Sequence, residues 1–148
     1  MKYRLIRNEM TKQQLKFLET VLYGRQVEIS EHAMTRIIER EIGFKWIYST
    51  LKNARIMEVS YEEIDGEIID VRISIRENTK ERRTTTELVV SLFDFEIKTT
   101  FTNYTRSKIL KPMKKIEDFT AVVKALKKRH KLKIKIDMED VIWISKQF

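Results

Sequence analysis

The chain contains no cysteine, a single proline and three glycines among its 148 residues. The absence of cysteine excludes disulfides, a thiolate nucleophile and metal sites built from cysteine. With only two histidines, a histidine-built metal site is not expected either, and we expect no cofactor. Because proline and glycine are scarce, long linkers and disorder are not expected. Together with 42% hydrophobic residues, this composition indicates one folded domain over residues 1–148.

Long apolar runs are also missing, and none reaches the roughly 18 residues that a membrane-spanning helix requires. The first seven residues are charged like the start of a signal peptide, but no apolar stretch of about 7–15 residues follows them. We therefore expect a cytoplasmic protein that is not associated with a membrane. The signatures of Rossmann, P-loop and zinc-deaminase proteins are absent as well, which excludes those classes of enzyme.

Positive charge is in excess, with a formal net charge of +8, and it is unevenly distributed. Residues 111–148 hold 11 Lys and Arg against 5 Asp and Glu, whereas residues 59–110 hold 8 against 10. A clustered excess of this kind is typical of proteins that bind nucleic acid. We therefore expect RNA or another polyanion as a partner. The alternative interpretation is a solvated surface that only keeps the protein soluble.

Apolar residues recur at helical spacing in the first third of the chain. The pattern predicts helices over 12–23, 30–41 and 44–54. Thr11 and Ser30 are the expected N-caps, since a short hydroxyl side chain can accept a hydrogen bond from a free backbone N–H. Gly24 and Gly43 are expected to end the first two helices.

From residue 55 the spacing of apolar residues changes to alternation, which predicts strands over 55–61, 68–75, 84–93 and 97–104. Asp65-Gly66 predicts a tight hairpin between the first two strands. A basic amphipathic helix is expected over 116–129, and segments 132–136 and 141–145 form either a terminal hairpin or further strands of the sheet. The fold class is therefore α+β, with N-terminal helices packed on an antiparallel sheet of about four or more strands.

The second predicted helix carries His32, Arg36 and Arg40 at intervals of four residues, which places them on one stripe. A titratable imidazole beside two permanent cations suits a site that holds a phosphate and moves a proton next to it. On a helical wheel the stripe borders an apolar face that includes Ile37 and Ile38. The alternative is a structural His32 bonded to a backbone carbonyl, with both arginines paired to nearby acids.

Residues 28–105 resemble a small bacterial domain family with a helix of the form Ser-x-His-Ala-x-x-Arg-x-x-x-Arg, followed by a helix and an antiparallel sheet. The resemblance lies in residues 29–33, Ile-Ser-Glu-His-Ala, in Arg36 and Arg40, and in the late strand 97–101, Ile-Lys-Thr-Thr-Phe. That family is similar to the barnase, EndoU, colicin and RelE-like ribonuclease and toxin domains. The chain departs from the family's usual Arg-Gly after the motif, with Glu41 following Arg40.

The resemblance implies a ribonuclease-toxin-like core over 28–105, and the basic helix-strand extension over 111–148 lies outside the match. It also implies an active cleft faced by His32, Arg36, Arg40 and Thr100, with Thr99 as a weaker candidate. RNA cleavage without a metal requires a base for the 2′-hydroxyl proton and cations for the charge on phosphorus. His32 would be the base and Arg36 the phosphate clamp, while Thr100 would orient the scissile group.

The remaining candidates bind nucleic acid without taking part in chemistry. They are basic residues of the motif helix, of the second predicted strand and of the C-terminal helix: Arg40, Arg72, Arg76, Lys124, Lys127, Lys128 and Lys131. Arg72 and Arg76 are expected to share one sheet face with Ser74, because side chains alternate along a strand.

A second function is compatible with the same residues. The chain is then a non-catalytic nucleic-acid- or protein-binding accessory protein of a phage or mobile element, in which His32 is part of the scaffold. An antitoxin or immunity protein and a homodimer through the C-terminal strands are the protein partners left open.

Overall fold

The computed structural model describes residues 1–77, 85–102 and 113–131, which form a seven-stranded sheet with helices packed on one face. The α+β class is therefore confirmed. The strands are β1 (Lys2–Ile6), β2 (Glu28–Ile29), β3 (Ala54–Ile64), β4 (Glu67–Glu77), β5 (Thr86–Ser91), β6 (Glu96–Thr102) and β7 (Lys114–Lys115). The helices are α1 (Lys12–Leu22), α2 (Glu31–Glu39), α3 (Phe44–Lys52) and α4 (Phe119–His130), with a 3-10 turn at Arg7–Glu9.

The strand order is β2-β6-β5-β4-β3-β1-β7. The four longest strands are antiparallel neighbours, while β2 and β7 run parallel to β6 and β1 at the two edges. Alternation along the central strands turns one set of side chains toward the helices. Val59, Ile73 and Val90 form one cross-strand row of that set and are fully buried. Burying each such side chain contributes about 1.5–3 kcal/mol, so this face is the main source of stability.

The two predicted N-caps are confirmed. The Thr11 hydroxyl accepts a hydrogen bond from the Gln14 backbone N–H, and the Gln14 side chain accepts one from the Thr11 N–H. Ser30 accepts a hydrogen bond from the Ala33 N–H at 3.0 Å. Since the first N–H groups of a helix have no partner inside it, these bonds fix where α1 and α2 begin.

The prediction that Gly43 ends the second helix was wrong. Glu41 takes the left-handed conformation, with φ of 52°, and its N–H donates to the Ile38 carbonyl. The Ile42 N–H donates to the Ile37 carbonyl, and both isoleucines are buried. This pattern is a Schellman motif, which closes α2 before Gly43, and Gly43 instead caps α3. Ile38 was expected on the apolar face but is 70% exposed.

Two turns connect the long strands. Asp65 and Gly66 both have positive φ, at 52° and 78°, as a type I′ hairpin requires, so this predicted hairpin is confirmed. The turn between β5 and β6 places Phe95 at φ of 51° although no glycine is present there. Other atoms must hold that residue in place, because a side chain disfavours the left-handed region.

The three short strands β1, β2 and β7 were not predicted as strands. In β1, Tyr3 and Leu5 alternate with two basic residues and face Tyr61 and Val59 of β3. That alternation is typical of a strand, but over only five residues it does not by itself predict one. The predicted segments 132–136 and 141–145, and the lysines in the first of them, lie outside the described residues.

The buried face of β4 gives a test of this layer. Ile75 is 0% exposed. Ile69 is 44% exposed and lies between Ile68 and Asp70, where the pairing of β4 with Glu63 and Glu62 of β3 shifts register. We expect Ile75→Ala to lower the free energy of unfolding by about 2–5 kcal/mol through cavity formation. Ile69→Ala should lower it by less than about 1 kcal/mol. Urea unfolding followed by circular dichroism measures both, and equal losses would contradict this assignment of the two faces.

Candidate nucleic-acid interface

The motif helix α2 is positioned by the strand just before it. β2 pairs with only the first two residues of β6, and the Ser30 N–H then donates to the Ile97 carbonyl at 3.1 Å. α2 therefore continues beside the remainder of β6, where β2 no longer covers the edge. The Arg40 guanidinium reaches this edge and donates to the backbone carbonyl of Thr100. It also stands 5.2 Å from the centre of the Phe101 ring.

The other two residues of the stripe lie at the surface. His32 is exposed in the first turn of α2 and makes no hydrogen bond with any part of the chain that the structure describes. The Arg36 Nη1 atom lies 3.0 Å from Glu39 Oε2, in a pair whose side chains are both more than one-third exposed. Because exposed pairs of this type contribute little, Arg36 can exchange Glu39 for another anion.

Thr100 does not lie where its predicted role requires. Its side chain is 0% exposed and lies on the same strand face as Leu88, its partner on β5. The Thr100 hydroxyl oxygen has no hydrogen-bond partner within the described residues. Strand alternation has turned this hydroxyl toward the core, so in this structure it cannot orient a substrate at the surface. The structure brings Arg40 and Thr100 together through the backbone carbonyl instead.

Arg72, Ser74 and Arg76 share the sheet face that points away from the buried core, as predicted. Arg72 Nε lies 2.7 Å from Asp70 Oδ2, and Arg76 Nη2 lies 3.4 Å from Glu87 Oε2. Both predicted nucleic-acid ligands are therefore already paired with acids. They also lie across the sheet from the face that packs against the helices.

A cleft of about 240 Å³ opens on this outer face. Ser60 lies between Arg4 and Arg72 in one cross-strand row. The small Ser60 side chain and the two longer arginine side chains beside it all line the cleft. Its charged lining is evenly divided between three basic and three acidic residues: Lys2, Arg4, Arg72, Glu58, Glu62 and Asp70. A cleft with balanced charge suits a polar ligand better than a polyphosphate chain.

The basic residues of α4 have a different environment. Its apolar side is buried, including Val122, Val123 and Leu126. On the other side Lys124, Lys127 and Lys128 fall within about 100° of one another on a helical wheel at 3.6 residues per turn, and Lys131 follows as the left-handed C-cap. None of these four lysines, Lys124, Lys127, Lys128 and Lys131, makes an ion pair with the described residues. Cations near the end of a helix are also favoured by its dipole.

The end of α4 and strand β2, which leads into α2, contact the same turn, residues 92–95 between β5 and β6. Arg129 Nε donates to the Phe93 carbonyl at 3.3 Å, and His130 Nε2 bonds to the Leu92 carbonyl. The Glu28 N–H, just before α2, donates to the Phe95 carbonyl at 3.0 Å. The turn thereby brings the two predicted functional helices to one end of the sheet.

Phe95 lies between further basic residues at this end. Its ring centre is 5.1 Å from the Arg25 guanidinium and 4.6 Å from the ring centre of His130. Sequence reasoning missed Arg25, Arg129 and His130 as parts of the interface. No spacing rule could have joined them, because Arg25 and His130 lie at opposite ends of the chain and meet only through the turn.

Two ionisable groups with shifted pKa values lie outside α2 and α4. Burial alone would lower the pKa of Lys98, but its hydrogen bonds to Glu96 and Asp94 outweigh burial and raise it. Burial raises the pKa of Tyr61, with a further contribution from the negative charge of Glu63. At neutral pH, Lys98 is therefore charged and Tyr61 neutral, as suits structural groups.

Within the described ranges, no group of three His, Cys, Asp or Glu side chains is arranged to hold a metal ion. No helix in those ranges is long and apolar enough to cross a membrane. Comparison with protein-family models, with curated proteins and with solved structures finds no match.

The contrast between Arg40 and Arg36 is testable. Arg40 bonds to the edge strand and contacts Phe101, whereas Arg36 pairs only along its own helix. Since a hydrogen bond from a charged donor contributes about 1.5–3 kcal/mol, we expect Arg40→Ala to lower the free energy of unfolding by about 1–2 kcal/mol after discounting for its exposure. Arg36→Ala should change it by less than about 0.5 kcal/mol. Urea titrations compare them, and a larger loss for Arg36→Ala would contradict the anchoring role of Arg40.

Proposed function

We propose that the protein binds RNA through the solvent-facing lysines of α4, and that α2 provides a site for metal-independent RNA cleavage. The observation that carries this proposal is the absence of ion pairs at Lys124, Lys127, Lys128 and Lys131 within the described structure. Arg72 and Arg76 are paired with acids by contrast, so they attract phosphate less strongly.

The dimensions of the lysine stripe support a polyanion as the ligand. Lys131 lies seven positions after Lys124, which corresponds to about 10 Å along a helix axis. This length matches about three nucleotides at roughly 3.4 Å each. Lysines without internal partners can release the counterions condensed on the nucleic acid, which is the main driving force for such binding.

His32 and Arg36 supply the groups that cleavage needs. An exposed imidazole can take the 2′-hydroxyl proton, and a guanidinium one helical turn away can stabilise charge on the phosphate. Arg40 retains other N–H donors besides the one on the Thr100 carbonyl, so it can bind a neighbouring phosphate. The resemblance to ribonuclease and toxin domains supports this assignment. RNA lying along α4 would reach the turn that β2, the strand leading into α2, also contacts.

A non-catalytic binding function is the second candidate. It is favoured by the buried Thr100 hydroxyl, which removes one member of the predicted catalytic set. It is also favoured by three exposed apolar side chains on α2 and α3, namely Ile38, Phe44 and Tyr48. Phe44 and Tyr48 stand one helical turn apart, and exposed apolar groups of this kind are typical of protein-binding surfaces, so an antitoxin, an immunity protein or a second copy of the chain is the partner to test.

Binding by α4 predicts a specific effect of charge removal. Lys124→Gln with Lys128→Gln should weaken RNA binding about tenfold at moderate salt, and should reduce the slope of log affinity against log salt by about 1.4–1.8. Lys12→Gln with Lys16→Gln on α1 removes the same charge from exposed positions and should have a small effect. Fluorescence anisotropy with a labelled RNA measures both pairs. Equal weakening by the two double variants would show that net charge alone binds RNA.

Cleavage predicts a separate effect at α2. In EDTA, the wild-type protein should convert total tRNA and single-stranded RNA into discrete fragments. His32→Ala should reduce the cleavage rate by about 10²–10⁴ because the base is lost, while RNA affinity stays unchanged. Thr35→Ala, an exposed change on the same helix, is the matched control. If the wild-type protein binds RNA and yields no fragments, the non-catalytic function replaces cleavage.

A further inference from the structure

A pocket of about 510 Å³ lies between α4 and the two turns that face it, β3–β4 and β5–β6. Its apolar lining comes from three different elements and consists of Ile68, Phe93 and Ala125. Gly66 forms part of the wall, and no atom lies within 4 Å of where a Cβ would stand there, so this side is open. The size falls within the range of about 300–1,000 Å³ typical of small-ligand sites.

One side of the pocket is a planar platform. Phe93 is half-buried, and the Arg129 guanidinium stands 5.5 Å from the centre of its ring. Arg129 is itself held in place, since it donates to the Phe93 carbonyl and lies 3.5 Å from Asp94 Oδ1. Aromatic rings and guanidinium planes are the two kinds of protein group on which unpaired bases stack.

The part of the lining that comes from α4 is basic. Lys124 and Lys128 stand one helical turn apart on α4 and belong to the lysine stripe already described. With Arg129 they give the lining three cations against one acid, Glu67. An excess of positive charge next to an apolar platform suits a ligand that has a flat ring at one end and a phosphate at the other.

We propose that this pocket accepts a single unstacked nucleotide of single-stranded RNA. The base lies against Phe93 and Arg129, and its phosphate is bound by Lys124 and Lys128. The inference rests on the proposed binding of RNA by α4 and adds selectivity to it. In a duplex the bases are paired and stacked inside the helix, so double-stranded RNA can contact the lysine stripe but cannot place a base in the pocket.

The test compares labelled single-stranded RNA with a duplex of the same sequence by fluorescence anisotropy. Phe93→Leu keeps an apolar side chain but removes the stacking surface, so it should weaken single-strand binding about tenfold and leave duplex binding unchanged. Ala125→Leu fills the pocket without removing any contact and should have the same selective effect. Tyr23→Leu removes an exposed ring that does not line this pocket and is the matched control.

The outcomes separate this inference from the proposed function. If both pocket variants bind single-stranded RNA as the wild type does, while Lys124→Gln with Lys128→Gln weakens it, the pocket assignment is overturned and binding by α4 stands. Equal losses for single strand and duplex also overturn it. If the wild-type protein binds neither RNA, the proposed function itself fails. Thermal unfolding of each variant confirms that the fold is intact, and Ala125→Leu decides the question if Phe93→Leu does not fold.

Discussion

The placement of the basic residues around Phe95 and the end of α4 depends on how the turn at residues 92–95 is held. The Leu92 N–H donates to the Val71 carbonyl at 2.7 Å, and the Ser91 hydroxyl accepts from the N–H groups of both Phe93 and Asp94. These bonds fix a turn in which Phe95 stays in the left-handed region, a conformation that costs a non-glycine residue about 1–2 kcal/mol. β2, which leads into α2, and the end of α4 both contact this turn, so its backbone geometry determines where these cations meet.

The distribution of charge follows the layers of the fold. The cleft on the open face of the sheet balances bases with acids, and its charged groups are partly buried, as in Arg4 with Glu58 at 3.5 Å. On the helical side the lysines of α4 have no such compensation among the described residues. The two faces therefore have different chemistry, which overall net charge and isoelectric point conceal. The local electrostatic potential would direct a polyanion to one of the two faces. The net charge of the protein would mainly affect the rate at which the polyanion and the protein meet.

The local elements were more predictable than the site. Caps such as Ser30, the Asp65-Gly66 hairpin and the strand alternation could be predicted because each depends on residues close in sequence. The end of α2 at Glu41 could not, because burial of Ile42 outweighed the preference of glycine for that position. For the site, residue spacing placed the stripe on α2 and the lysines on α4. It could not show that strand alternation buries Thr100, since that depends on which face of β6 the helices cover.

The contact between Arg40 and the Thr100 carbonyl has a consequence for solubility. Beyond the two residues that pair with β2, β6 has no strand neighbour on that side among the described residues, and an open strand edge can recruit a strand from another molecule. A charged guanidinium on one edge carbonyl, with α2 alongside, obstructs such intermolecular pairing. The same arginine that the sequence predicts as a phosphate ligand thus also protects this strand edge from intermolecular pairing.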